Sequence, residues 1–353
     1  MNGYNMKSIS LFCGAGGFDL ALLQAGFDIE FAVDFDKYAI QSYHANIGNH
    51  AICKDIRDIK GVDLPIVDLW TGGFPCQDLS NAGQRVGLTG KRSGLFFEIM
   101  RLLDEVKHKP KALIMENVKG LKPYLHILND EFSKRGYTLH YALYNSKYWG
   151  VPQNRERYYI VGLLDSDWTK FQMPEQPTDY VPMLADFLDT DALEKYYVSD
   201  DKAKTVIEQA LGSVGISIKH GIVLDGKSKY GKNAYSVFID DIHPTILSTH
   251  YTQPTKVICQ LPRGNNSGGL HEISPTISSS AWQQNNLLIE NIKNLDNFRV
   301  RRLTPTEYGR LQAFQVDTTW RQVVSDSQAY KQFGNAVTVS VAKAVIEAVK
   351  QVL

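Results

Sequence analysis

The stretch KSISLFCGAGGFDLALLQAGFDIEFAVDFDKY, residues 7–38, decides how the rest of the chain is read. Residues 8–12 are β-rich and run into a glycine turn. Residues 18–25 then read as a helix, 29–34 as a second strand and 37–46 as a second helix. The alternation continues with strands expected at 66–71, 113–115 and 158–163. Strands alternating with helices predict a mostly parallel sheet covered on both faces, an α/β fold. Gly14, Gly16 and Gly17 follow the first strand directly, where glycine lets the backbone turn sharply and approach a ligand. Such a turn equally suits a plain βα connection, so it does not name a ligand by itself. The end of the second strand adds to it. A carboxylate there, Asp34, can accept hydrogen bonds from ribose hydroxyls. Phe35 can stack on an adenine ring, and Asp55 can accept from an adenine amino group. Together these residues describe a pocket for an adenosine-containing ligand, with no P-loop lysine.

The chain has 353 residues, 43% hydrophobic and 22% charged, with zero net charge. That length predicts one large domain plus a smaller one. No apolar run is long enough for a membrane span; residues 112–115 are typical of how soon such runs break. The N-terminus lacks the pattern of a signal peptide, so the cytoplasm is the expected location. Neutral net charge argues neither for nor against nucleic acid, because local charge distribution matters more than the sum once salt screens distant charges. After residue 164 the texture changes. Pro174, Pro177 and Pro182 break the chain, and Ser, Thr, Asn and Gly dominate up to about residue 297. A helical pattern returns at 335–353, with Val337, Val341, Val345, Ala348 and Val349 spaced three or four apart. The large domain is therefore expected to be discontinuous, 1–180 with 317–353, around a β-rich domain at 181–316. Residues 243–258 and 274–289 form a weak internal repeat, which shared turn chemistry explains as well as shared function does.

Four cysteines occur, Cys13, Cys53, Cys76 and Cys259, with no C-x-x-C pair, which disfavours a disulfide framework or a zinc site. Cys13, Cys53 and Cys259 are expected to be small buried hydrophobes. Cys76 differs: it lies in DLWTGGFPCQDLS, residues 68–80, in a polar Gly-Pro turn stiffened by Pro75. A free thiol with a pKa of about 8.5 is only slightly ionised at neutral pH, and nearby basic groups would raise that fraction. Glu116 and Asn117 end the strand at 113–115. Arg155 and Arg157 precede the last strand of this half, two apart and so able to project together. Taken singly, each of these charged residues reads as a surface group.

Seven segments in this order resemble the cytosine-5 DNA methyltransferases, bacterial restriction-modification enzymes in particular. They are FCGAGGF (12–18), DFDKYA (34–39), GFPCQ (73–77), ENV (116–118), QNRER (153–157), RRLTPTEYGRLQAF (301–314) and QAYKQFGNAV (328–337). The resemblance covers nearly all of the chain outside 165–298. It implies a Rossmann-like S-adenosyl-methionine-dependent methyltransferase sheet with a smaller β-rich target-recognition domain. By that resemblance, Cys76 adds to carbon 6 of a cytosine flipped out of duplex DNA, with Pro75 shaping its turn. Glu116 donates to ring nitrogen 3, Arg157 holds the exocyclic oxygen, and Arg155 orients the cysteine loop or a phosphate, while Asn117 holds backbone.

The cofactor, leaving as S-adenosyl-homocysteine, would meet Phe12, Gly14, Gly16, Asp34, Phe35, Asp55, Ile56, Pro75, Leu95, Asn335 and Val337. Residues 78–94, with four glycines and Arg85, Lys91 and Arg92, correspond to the family's mobile DNA-closing loop. DNA contacts are expected from Ser80, Gln84, Arg85, Arg92, Thr276, Arg263 and Asn265, with Thr276-Ile277 preferred over Thr245-Ile246 as the recognition pair. Thr304, Glu307 and Arg310 fall in a segment expected to be structural. The resemblance implies double-stranded DNA as partner, a cognate restriction endonuclease by genetic linkage, and a monomer. Two rivals stand beside it. One is a tRNA cytosine-5 methyltransferase on the same scaffold, disfavoured by the long segment 198–297. The other is a non-enzymatic DNA-binding protein, disfavoured by intact Cys76, Glu116 and Arg157.

Overall fold

The structure, a computed structural model, describes residues 5–74, 94–164, 171–203, 205–206, 256–261, 268–271, 273–279, 286–290 and 299–353. The expected residues Pro75, Cys76, Ser80, Gln84, Arg85, Arg92, Arg263 and Asn265, and the pair Thr245-Ile246, lie outside the described residues.

Strands β1 (Lys7–Leu11), β2 (Asp28–Asp34), β3 (Ala51–Cys53), β4 (Leu69–Gly72) and β5 (Ala112–Val118) pair in parallel. β6 (Tyr137–Asn145) and β8 (Glu156–Leu164) complete a seven-stranded sheet in the order β3-β2-β1-β4-β5-β8-β6, with β8 antiparallel to both neighbours. The expected α/β class holds, and the sheet is parallel except for this edge hairpin. The short β7 (Gln153–Asn154) immediately precedes β8. β3 and β6 were not anticipated from the sequence. β3 has only three residues, whereas β6 carries Tyr137, Leu139, Tyr141 and Leu143 in alternation, a period-two signal that could have found it.

Helices α1 (Gly17–Gln24), α2 (Lys37–Asn46), α3 (Leu95–Glu105) and α4 (Leu125–Ser133) connect the strands. α2 begins where expected because the Asp36 side chain accepts from the Tyr38 and Ala39 amides at 2.9 and 3.4 Å, capping the orphan donors of its first turn. Alternate residues of the central strands enter different cores. Ala112, Ile114, Val161 and Leu163 pack with Phe18 and Leu22 of α1, whereas Leu113, Met115 and Ile160 pack with Phe96, Leu103, Leu128 and Phe132 of α3 and α4. This is the period-two burial of a sheet covered on both faces. Phe96 is fully buried in this core, whereas the adjacent Phe97 is 39% exposed.

A second, antiparallel sheet runs β10 (Gly269–His271), β9 (Lys256–Gln260), β12 (Leu287–Glu290), β13 (Arg299–Arg302). The two-residue β11 (Ser274–Pro275) leaves it to pair in parallel with β7. Ile258, Leu288 and Leu303 share the core of α1, so the two sheets are joined by apolar packing. The C-terminal helix expected at 335–353 spans 339–350, and a separate helix precedes it. α6 (Asp326–Asn335) stops at Asn335, and α7 (Val339–Lys350) starts after an extended turn through Ala336, with Val341, Val345 and Val349 buried as their spacing required.

α5 (Pro305–Leu311) is set by electrostatics. Thr304 and Glu307 form a reciprocal capping box. Glu307 also grips Arg301 through two bonds of 2.7 and 2.8 Å, and both side chains are fully buried. Arg301 Nε adds Glu290 Oε1 at 3.1 Å, joining α5 to β12 and β13. Removing one charge of such a pair strands the other in low dielectric. Glu307→Gln should therefore lower stability by roughly 3–5 kcal/mol, read as a lower urea midpoint at unchanged slope.

Candidate active site

The strand order reverses between β1 and β4, and the crevice beyond the carboxyl ends at such a point is where open α/β sheets bind ligands. Register makes the crevice specific. Leu11 pairs with Gly72, and Gly72 pairs with Met115. Phe12 to Gly14 leave the sheet there from β1 and Gly73 and Phe74 from β4, beside Glu116 and Asn117, which continue β5 along β8. The glycine turn, the root of the cysteine turn and the ENV segment therefore emerge side by side.

On the cofactor side, Phe12, Gly14 and Gly16 all have positive φ, at 54°, 56° and 95°. A Cβ on Gly16 would lie 2.8 Å from Ile47, whereas one on Gly14 would meet nothing within 4 Å. Gly14 thus turns its open face to the crevice. Its N–H donates to Asp34 Oδ2 at 2.9 Å, and the Asp36 N–H donates to Asp34 Oδ1 at 2.8 Å. Burial raises the Asp34 carboxyl above its usual range, against these two bonds. A carboxylate has about four acceptor positions, so both oxygens can still accept hydroxyl donors. Phe35 is 67% exposed, which leaves its ring available for stacking. Beneath the turn, buried Asp19 accepts from Ser10 Oγ at 2.9 Å and the Tyr43 hydroxyl at 2.8 Å, tying α1 to β1 and α2.

The other expected cofactor residues are placed less uniformly. Asp55 caps the short turn Ile56–Asp58 and is paired with Arg57 at 2.5 Å, which holds its pKa down at about 2. Ile56 is buried, and Leu95 packs at the edge of the α3 core. Asn335 is exposed at the end of α6. Val337 is buried against Gly17, where a Cβ would sit 3.1 Å from its Cγ2.

On the chemistry side, Glu116 is 9% exposed and Arg157 Nε lies 3.1 Å from its Oε1. The pairing follows from register, with Glu116 opposite Tyr159 and Val118 opposite Arg157. Burial raises the Glu116 carboxyl; the charges of Arg157 and Arg155 oppose that rise. Asn117 Nδ2 donates to the Phe74 carbonyl at 3.1 Å, one residue before Pro75, so it holds backbone as expected. An open cleft of about 260 Å³ adjoins Arg157, lined also by Val118, Lys119, Gly120, Asn154, Glu156 and Thr276. Lys119 and Glu156 form a 2.8 Å ion pair there, which no sequence signal had singled out.

Two expectations change. Arg155 does not project alongside Arg157. It is 3% exposed and donates to the carbonyls of Ile277 at 3.0 Å, Gly334 at 3.4 Å and Ala336 at 2.8 Å, so it ties its own segment to two others and is withdrawn from the surface where a phosphate would lie. Cys53 is exposed, not a buried hydrophobe, because β3 forms the sheet edge. Cys13 and Cys259 are buried as expected. Burial raises the thiols of both, that of Cys259 to about 12, which leaves them protonated and inert.

The chain matches the family described as C-5 cytosine-specific DNA methylase over residues 6–351. It is 32% identical over 359 residues to type II methyltransferase M.NlaX of Neisseria lactamica, covering 98% of this chain and 97% of that protein. It is 33% identical over 358 residues to type II methyltransferase M1.ScrFI of Lactococcus lactis subsp. cremoris, covering 98% and 78%. Among solved structures, Entamoeba histolytica methyltransferase EhMeth superposes with TM-score 0.69 at 16% identity, covering 99% of each chain. S. pombe Dnmt2 methyltransferase gives 0.67 at 19%, covering 98% and 99%. Both likenesses speak to the fold alone.

Glu116 yields a stability test. A carboxyl raised in the folded state favours folding below its ordinary value of 4.5, and that contribution is lost as pH rises through the raised value. Glu116→Gln should abolish this decline and unfold at a higher temperature than wild type at pH 7, measured by thermal melts across pH 4–8.

Proposed function

The chain belongs to the C-5 cytosine-specific DNA methylase family and is a DNA (cytosine-5)-methyltransferase, and on that premise we propose that it methylates a flipped-out cytosine through a covalent adduct with Cys76. The observation that carries the reading is the convergence of Glu116 and Arg157, 3.1 Å apart, beside the Gly73-Phe74 exit that leads to Cys76. A Cβ on Gly73 would lie 3.8 Å from Glu116 Oε2, so the chain passes directly over that carboxyl on its way to the cysteine.

In the proposed reaction the Cys76 thiolate bonds to carbon 6 of cytosine. The displaced electron pair makes carbon 5 nucleophilic, and Glu116 donates its proton to ring nitrogen 3, where charge would otherwise build. A carboxyl raised by burial suits that donation. Arg157 holds the exocyclic oxygen and, through its charge, limits how far Glu116 rises. After carbon 5 has gained its methyl, nitrogen 3 returns its proton to Glu116 and solvent takes the carbon 5 proton. The electron pair then reforms the ring double bond and expels the sulfur as thiolate. Base flipping costs a few kcal/mol, which contacts along the cleft would offset.

S-adenosyl-methionine supplies the electrophilic methyl on a sulfonium centre. The open face of Gly14, the spare acceptors of Asp34 and the exposed ring of Phe35 fit its adenosine part. We assign the remaining contacts to Phe12, Gly16, Ile56, Leu95 and Val337, with Asn335 at the methionine end. Asp55 takes the adenine amino group only by sharing its carboxylate with Arg57.

Target recognition is assigned to residues 181–316, with 1–180 and 317–353 catalytic. The antiparallel sheet of β9, β10, β12 and β13 supports this, as does Thr276 on the wall of the Arg157 cleft. DNA contacts from Ser80, Gln84, Arg85, Arg92, Arg263 and Asn265 are part of the same proposal. The type II designation of its relatives supports a cognate restriction endonuclease as genetic partner.

Two measurements test the reading. Tritiated cofactor offered with duplex DNA or tRNA should label the DNA; label on tRNA alone refutes the substrate. Wild type should form a denaturant-stable adduct with duplex carrying 5-fluorocytosine, whose fluorine cannot leave as a proton. Cys76→Ser should form no adduct and lose turnover by a factor of at least about 100 while still binding DNA. An adduct formed equally by Cys76→Ser would remove Cys76 from the mechanism.

A further inference from the structure

Gln153 is fully buried, one residue before Asn154, which lines the cleft together with Thr276 and Arg157. Its amide oxygen accepts from the Ile277 N–H at 3.1 Å. Its amide nitrogen donates to the carbonyl of Leu311, the last residue of α5, at 2.6 Å. One side-chain amide thus acts as a peptide group between two segments distant in sequence. The backbone beside it is a strand addition. Ser274 pairs with Gln153 and Pro275 with Asn154, the Ser274 N–H donates to the Pro152 carbonyl at 2.8 Å, and Thr276 Oγ1 donates to the Asn154 carbonyl at 2.8 Å. From the other side, Gly334 approaches so closely that a Cβ there would lie 2.4 Å from Ser278 and Ser279 backbone atoms.

We propose that Gln153 is a specificity-determining positioning residue, which keeps the Thr276-Ile277 segment in register beside Arg157 without itself touching DNA. This rests on the DNA methyltransferase reading above. The physical reason is the brevity of the pairing. Two residues of parallel ladder specify register weakly, and a slip by one residue turns every side chain to the opposite face. Such a slip would carry Thr276 off the cleft wall and draw Ile277, which is fully buried, out of the core. The Gln153 bond to Ile277 lies just past the ladder and makes the observed register the one that satisfies both buried groups. Discrimination among DNA sequences then depends on a residue outside the DNA surface.

The test is bisulfite sequencing of a plasmid grown with the protein in a host lacking cytosine-5 methylation. Wild type defines the preferred context; no cytosine-5 methylation at all would sink the underlying reading and not this inference. Gln153→Met removes both bonds at similar volume. It should raise methylation in contexts differing by one base pair on the order of tenfold relative to the preferred one, with cofactor affinity unchanged. Gln153→Glu keeps the acceptor for Ile277 and should hold the context better, although a buried charge makes it the less stable of the two. A merely structural role predicts the reverse, with context loss following stability. A wild-type context profile in Gln153→Met, or context loss in step with lost cofactor affinity, overturns the proposal. If Gln153→Met yields no folded protein, Gln153→Asn, which keeps an amide but is too short to span Ile277 and Leu311, is read in the same way.

Discussion

The pairing of Leu11 with Gly72 is the contact on which the rest of the molecule depends. It joins β1 to β4 across the point where strand order reverses, so that the glycine turn and the root of the cysteine turn leave the sheet as neighbours, about one strand spacing apart. The approach needs glycine at position 72, since a Cβ would lie 2.7 Å from the Leu11 carbonyl oxygen. A bulkier residue would force the two strand ends apart and separate the cofactor half of the crevice from the base half. Asp34 reinforces the arrangement from β2 by holding the Gly14 amide.

At the base end, two opposing influences are balanced on one carboxyl. Burial favours the neutral form of Glu116, whereas Arg157 and Arg155 favour the charged one. A group held between these pulls keeps its proton to higher pH than an exposed glutamate does, and so can donate it. The balance exists only because β8 runs antiparallel to β5. That direction brings Arg157 back to the end of the sheet at which Glu116 lies.

A buried polar network then joins this edge to the recognition side. Gln312 donates to the Phe333 carbonyl at 2.9 Å, Thr338 Oγ1 donates to Gln312 at 2.8 Å, and Ser146 lies 2.8 Å from Thr338. With Gln153 and Arg155, these residues connect the QNRER segment, the end of α5, the turn between α6 and α7, and Ile277. Polar groups buried this deeply are costly unless paired, so the network admits few alternative geometries. Four segments distant in sequence are thereby held as one rigid wall beneath the cleft.

The α/β class, the glycine turn after β1, the span of α2 and the apolar stripe of α7 were legible in the sequence because each rests on local chemistry: periodicity and glycine conformation. The family was legible because seven short segments keep their order. Other features were settled only by long-range pairing, which no local pattern encodes. Arg155 and Arg157 look equivalent as neighbours in QNRER, but one enters a clamp of carbonyls and the other faces Glu116, because β8 begins between them. Cys53 looked like a core residue until its strand proved to be the sheet edge. The depth of Glu116 and the bridge made by Gln153 depend on chain segments up to about 160 residues away, brought together by register and burial.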